Sequence, residues 1–331
     1  MTTSRHAYRC LGALAISALL VSAAVITPAP EALASTFGSR TLARGSSGAD
    51  VLELQIRVAG WYSNCAGVPC HEHFPLDSSF GTKTERAVKN FQKAYGLPID
   101  GRADGDDFDK LKGLERSDGS TLHFSWSEFH EKKGTRCSTS NAGTFNGGRV
   151  DAKTVRENVR RLMYRLEVLR HRRVSPVYIG SGFRSVNYNS CVKGASQSQH
   201  MYGTAMDGKM KHVHQGHMRG LAKTSEFHGI FCYDDPHNHL DIRKDNPATG
   251  GGFVWPSTDP SGRDRTAKGG ICYGGYSSPP TTGNHPPAEG PSLAEVSVRL
   301  EDSATDGTDV EDPEGAAMRD GPEDVWMSED E

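Results

Sequence analysis

Apolar residues recur at helical spacing in the first third of the chain and again in one long stretch near its middle. Val51, Leu54 and Val58, with Gln55 on the same stripe, follow the turn GSSGAD (45–50), and the spacing predicts a helix there. Thr82 and Glu85 stand at capping-box spacing ahead of Ala87, Val88, Phe91, Ala94 and Tyr95. Gly96 fits the stop of that second helix. Asp100 and Gly101 turn the chain toward a third helix with Phe108, Leu111 and Leu114 on one face. A loop with Cys65 and Cys70 separates the first two helices. Residues 41–115 are therefore expected to form a small three-helix module.

Residues 115–148 are rich in Ser, Gly and Thr and join the two halves, with one helical turn expected over residues 124–129. After Asp151 a long amphipathic helix carries Val155, Val159, Leu162, Leu166 and Leu169 on its core face. Residues 174–179 (VSPVYI) read as a strand that feeds the turn GFRS (182–185). A second domain is expected over residues 121–275, with Trp255 part of its closing segment. From residue 277 to 331 the chain turns Pro/Gly-rich and then acidic, which reads as a disordered tail.

The hydrophobic content of 35% is low for one packed globule, in keeping with such extended parts. The net charge of −3 hides an uneven spread. Residues 295–331 hold 14 acidic side chains against Arg299 and Arg319, leaving about +9 on the rest. A basic body suits an anionic polymer such as a cell wall. Residues 1–34 read as an export signal: Arg5 and Arg9, an apolar run from Leu11 to Ile26, then Ala32-Leu33-Ala34 as the cleavage site. With Cys10 removed, six cysteines remain, an even number that implies disulfides in an exported protein. The pairings Cys65–Cys70, Cys137–Cys191 and Cys232–Cys272 are expected. The mature protein is expected to be an extracellular monomer acting at the cell wall, with no nucleic-acid partner and no membrane attachment.

Three short stretches carry the candidate chemistry: GFRS (182–185), SQSQHMYGTAMD (196–207) and DDPHNHLD (234–241). His200 and Asp207 are seven apart, with small residues between them where backbone must pass close to a metal. Two imidazoles and a carboxylate are what a catalytic zinc ion takes while keeping a fourth position open. Arg184 follows a strand, where a side chain is held firmly, and a guanidinium is shaped to grip a substrate carboxylate. These residues point to a secreted zinc peptidase acting on a peptide with a free carboxyl end. No Ser-x-x-Lys stands at a helix start, which argues against a serine enzyme of the penicillin-binding type. His212, His214 and His217 form a further cluster, read as solvated loop histidines.

The segments GSSGADVLELQIRVAGW (45–61) and FGTKTERAVKNFQKAYGLPIDG (80–101) resemble the three-helix peptidoglycan-binding domain, apart from the inserted Cys65–Cys70 loop. GFRSVNYNSCVKGASQSQHMYGTAMD (182–207) resembles the zinc D-alanyl-D-alanine carboxypeptidases, a group that also holds D-Ala-D-Ala dipeptidases and L-alanyl-D-glutamate endopeptidases. The resemblance implies an α+β domain with an antiparallel sheet behind the helical module. It implies Zn2+ held by His200, Asp207 and His239, Arg184 as the substrate-carboxylate binder, and peptidoglycan stem peptides as substrate. The chain departs from the family where a catalytic carboxylate is expected: three residues before His239 stands Pro236. Either Asp235 serves as base with His237 beside it, or His237 is the ligand and Asp234 the base, a register that resembles the endopeptidase branch. A degenerate, non-catalytic wall-binding protein is the third reading.

Overall fold

In the computed structural model, residues 37–63, 73–233 and 237–245 are described. The export signal, Cys65, Cys70, Asp234, Asp235, Pro236, Trp255, Cys272 and the acidic tail lie outside the described residues.

Helices α1 (Ala49–Val58), α2 (Thr82–Tyr95) and α3 (Gly105–Lys112) pack around Val51, Leu54, Val58, Phe91, Phe108 and Leu111. The polar Gln55 on the apolar stripe of α1 is buried as a cross-link. Its amide donates to Asp77 Oδ1 (2.8 Å) and the Ser79 carbonyl (3.0 Å), and its Oε1 accepts from the backbone amides of Asp77 and Ser78. Gly96 ends α2 in the left-handed region at φ 68°. The expected capping box at Thr82 and Glu85 does not form. Gly81 is the N-cap, which places Thr82 inside the helix, and Glu85 instead pairs with Lys89 and Arg44. Capping boxes form at Asp104/Asp107 and Ser125/Glu128.

Helix α4 (Ala152–Arg173) serves both halves. Asp151 caps it by accepting from the Thr154 amide, and Val155, Val159, Leu162, Leu166 and Leu169 enter the core of the second domain. Val168, on the other side, is buried in the core of the three-helix module. Gly60 makes this contact close: a Cβ there would lie 2.7 Å from Val168 Cγ2. The stretch expected to join the halves is itself part of the second core. Phe124, Phe129 and Phe145 are buried in it, and Cys137 is bonded to Cys191. Cys232 is also disulfide-bonded.

Four antiparallel strands form the sheet: β1 (Val177–Ser181), β2 (Ala205–Met210), β3 (Gly229–Cys232) and β4 (Asn238–Asp241), in the order β1-β2-β4-β3. A short helix α5 (Val186–Cys191) follows β1, and α6 (Gln215–Lys223) connects β2 to β3. The histidine cluster is not a simple loop, because His214 is the N-cap of α6 and His217 lies within it. Among the described residues no helix is long and apolar enough to cross a membrane.

Candidate metal centre

The middle of the sheet sets two of the candidate side chains opposite each other. Asp207 on β2 is in register with His239 on β4 and with Ser181 on β1. Directly opposed residues project from the same face of a sheet, so Asp207 and His239 meet. His200 arrives from a 3-10 turn (Gln199–Tyr202) just before β2, which Gly203 closes at φ 75°. Thr204 anchors the turn by donating from Oγ1 to the Gln199 carbonyl at 3.1 Å.

Three donor atoms converge. His200 Nε2 is 3.1 Å from His239 Nδ1 and 3.2 Å from Asp207 Oδ1, and His239 Nδ1 is 2.9 Å from the same Oδ1. Ligands of a tetrahedral zinc ion at 2.0–2.1 Å stand roughly 3.3 Å apart, so the triangle has the size such an ion needs. All three residues are buried. Each imidazole is also oriented through its other nitrogen. His200 Nδ1 lies 2.6 Å from the Gly182 carbonyl, and His239 Nε2 lies 3.1 Å from Asp241 Oδ2. Such outer partners fix the tautomer and ring plane of a metal-binding histidine. The fully buried Asp241 is itself held by Arg243 (Nη2–Oδ2 2.7 Å) and the Gly229 amide (3.1 Å).

The glycine of GFRS has a geometric cause. A Cβ on Gly182 would stand 2.6 Å from Phe129 Cα, and the Phe183 amide donates to the Phe129 carbonyl at 2.8 Å. Two residues on, the Arg184 amide donates to the His200 carbonyl (3.2 Å). The Arg184 guanidinium reaches Asp207 Oδ2 through Nη2 at 2.5 Å and Ser181 Oγ through Nε at 3.0 Å. Tyr233 also donates to Asp207 Oδ1, at 2.9 Å. Neither Tyr233 nor Ser181 was singled out by the sequence. The role of Asp241 was equally hidden, although the His-Leu-Asp order was visible.

The electrostatics are those of a site short of positive charge. Burial presses the pKa of His200 down to about 4, and Arg184 adds to the effect. Burial acts in the same direction on His239, but Asp207 and Asp241 outweigh it and lift that ring to about 9. Burial would raise Asp207, yet His200 and Arg184 hold it well below the usual carboxylate range. The cluster draws a proton onto His239 in the place where a divalent cation would serve the same end.

His239, and not His237, stands with His200 and Asp207. His237 precedes β4, and its carbonyl accepts from the Tyr233 amide (3.2 Å) and from Gln215 Nε2 (2.5 Å). Asp234 and Asp235 fall in the undescribed segment between Tyr233 and His237.

Comparisons with known proteins bear on both halves. Residues 128–241 match the family model described as Peptidase M15, and residues 47–111 match a putative peptidoglycan binding domain. The chain is 41% identical over 170 residues to the zinc D-Ala-D-Ala carboxypeptidase of Streptomyces albus G, covering 51% of this chain and 61% of that protein. It is 33% identical over 109 residues to a spore cortex-lytic enzyme of Bacillus cereus, covering 32% of this chain and 35% of the relative. Thus it spans less than two thirds of the length of these curated relatives. A solved structure of the SleB N-terminal domain is 36% identical, with 23% of this chain and 93% of that one covered and a TM-score of 0.19. The cluster of His200, Asp207 and His239 therefore lies within the segment that matches the peptidase M15 model, behind a segment that matches the peptidoglycan-binding model.

Proposed function

We propose that this chain is a secreted, monomeric zinc D-alanyl-D-alanine carboxypeptidase that removes the terminal D-alanine from peptidoglycan stem peptides. The helical module would hold the wall. The observation that carries the reading is the arginine beside the donor triangle: Arg184 contacts the same carboxylate that His200 and His239 share. A carboxylate binder next to a metal-sized cluster is the arrangement an exopeptidase needs. The relative's printed activity, over the aligned 170 residues, supports the same substrate.

His200, Asp207 and His239 would hold the zinc ion. A zinc ion held there supplies Lewis-acid polarisation of a carbonyl and activation of water at neutral pH. A guanidinium has five N–H donors, and Arg184 directs two of its nitrogens at Asp207 and Ser181. Its remaining donors bind the C-terminal carboxylate of the substrate, which fixes the last peptide bond at the cluster. Asp234 or Asp235 accepts the proton of the attacking water on a carboxylate oxygen and returns it to the leaving amine. His237 assists as a hydrogen-bond donor to the developing oxyanion.

The test is incubation of the secreted protein with a stem peptide ending in D-Ala-D-Ala, with and without a zinc chelator, with free D-alanine as readout. Chelator-sensitive release is expected, and exchanging both Asp234 and Asp235 for Asn should abolish it. A chelator-sensitive cut at another bond would move the protein to the endopeptidase branch. No cut by a zinc-loaded protein would leave it a wall binder.

A further inference from the structure

A second group of metal-capable side chains lies at the seam between the two cores. His73, ahead of α2, His228, just before β3, and Asp245 each bring one ligand atom within 4.8 Å of the other two. His73 Nε2 is 3.7 Å from Asp245 Oδ1, and the two imidazoles stand edge to face with centroids 5.1 Å apart. His228 and Asp245 are buried and His73 is half-buried. His228 Nε2 and Asp245 Oδ1 are buried polar atoms without a hydrogen-bond partner, and His73 turns Nε2 toward the latter. Buried polar atoms are ordinarily paired, so two orphans in one cluster call for an occupant.

The surroundings favour a cation. Asp245 Oδ2 accepts from the buried Arg165, which leaves Oδ1 turned to His73. Glu226, also buried, adds a second carboxylate, with Oε2 3.5 Å from His228 Nε2. Glu226 is itself tied to the helical module by Ser63 Oγ and by the Phe74 amide at 3.3 Å. Its backbone sits at φ 61°, a left-handed conformation that a residue with a Cβ keeps only where its surroundings demand it.

We propose that His73, His228 and Asp245, with the Glu226 carboxylate beside them, form a second divalent-cation site of the zinc type that pins the helical module to the second domain. Imidazole and carboxylate donors suit zinc. His73 comes from the module and the other two from the second domain, so one cation cross-links them. The Lys244 amide stands 3.4 Å from His228 Nδ1, at the long limit for such a bond.

Metal counting tests this without recourse to activity. The full secreted chain is loaded with zinc chloride, exchanged into metal-free buffer and analysed for zinc per protein. Two equivalents are expected in the wild type and one in His73→Ala and His73→Gln. One is also expected in the double variant His200→Ala/His239→Ala, and none when His73→Ala is added to it. Zinc should slow proteolysis at the seam in the double variant and lose that effect in the triple one. A single equivalent in the wild type, none in the double variant, or two retained in both His73 variants would overturn the site. The double variant leaves the seam intact, so its count decides even if a His73 variant fails to fold.

Discussion

Arg184 Nη2 stands 2.5 Å from Oδ2 of Asp207, the carboxylate whose Oδ1 meets His200 and His239. One aspartate is thus shared between the arginine and the donor triangle. Charged hydrogen bonds contribute about 1.5–3 kcal/mol, so Arg184→Ala is expected to lower kcat/KM by about 10- to 100-fold. Steady-state kinetics on a D-Ala-D-Ala peptide and its C-terminal amide check the cause. The wild type should lose a similar factor on the amide, and the variant should barely distinguish the two. Equal discrimination by both proteins would remove Arg184 as the carboxylate binder.

Asp241 orients His239 through Nε2, the ring nitrogen turned away from the donor triangle. Replacing it with Asn keeps its size and removes its charge. Outer-shell changes of this kind cost about 10- to 100-fold in metal affinity. Chelator competition on Asp241→Asn should show that loss at the open site, while zinc at the seam stays put. An unchanged affinity would make Asp241 merely structural.

Gly182→Ala places a Cβ 2.6 Å from Phe129 Cα, a backbone atom that cannot swing aside. The expected cost is about 1–3 kcal/mol, the usual range for overpacking. A lowered Tm should be accompanied by weaker zinc retention, because the displaced carbonyl is the one that holds His200 Nδ1.

Acid should loosen the joint between the halves. Glu53 on α1 pairs with Arg57 and, across to α4, with Arg160 at 3.0 Å. Burial raises its pKa, but Arg160 and Arg57 outweigh this and hold it below 4.5. A carboxylate depressed in the folded state contributes stability that is complete above its unfolded pKa. That stability is lost as pH falls through the folded value. Urea midpoints should therefore drop below about pH 4.5, the ordinary glutamate range. Glu53→Gln should flatten the drop and lower the midpoint at pH 7; an unaltered slope would place the acid lability elsewhere.

Much of this was legible in the chain because it is periodic or local. The stripe from Val155 to Leu169 on α4 and the left-handed stop at Gly96 follow from spacing and from the backbone freedom of glycine. Arg184, His200, Asp207 and His239 stood out as short motifs, and the fold brings them together. What escaped depends on contacts distant in sequence. Phe124, Phe129 and Phe145 lie in a stretch whose polar composition suggests a tether, yet their rings enter the core. Thr82 and Glu85 have the spacing of a capping box, but the helix begins one residue early and Lys89 and Arg44 compete for the acid. The seam of His73, His228, Glu226 and Asp245 joins positions more than 150 residues apart, with no motif to announce it.

Helix α4 has Val168 sunk in one core and Leu166 and Leu169 in the other, so the two halves share a rigid spine. A protein hung from the wall by its module would hold its cutting site at a set offset from the point of attachment. With the proposed activity, such a molecule would trim like a gauge, reaching only those stems that the lattice of the wall presents at that distance. Its choice among chemically identical stem peptides would then be made by position.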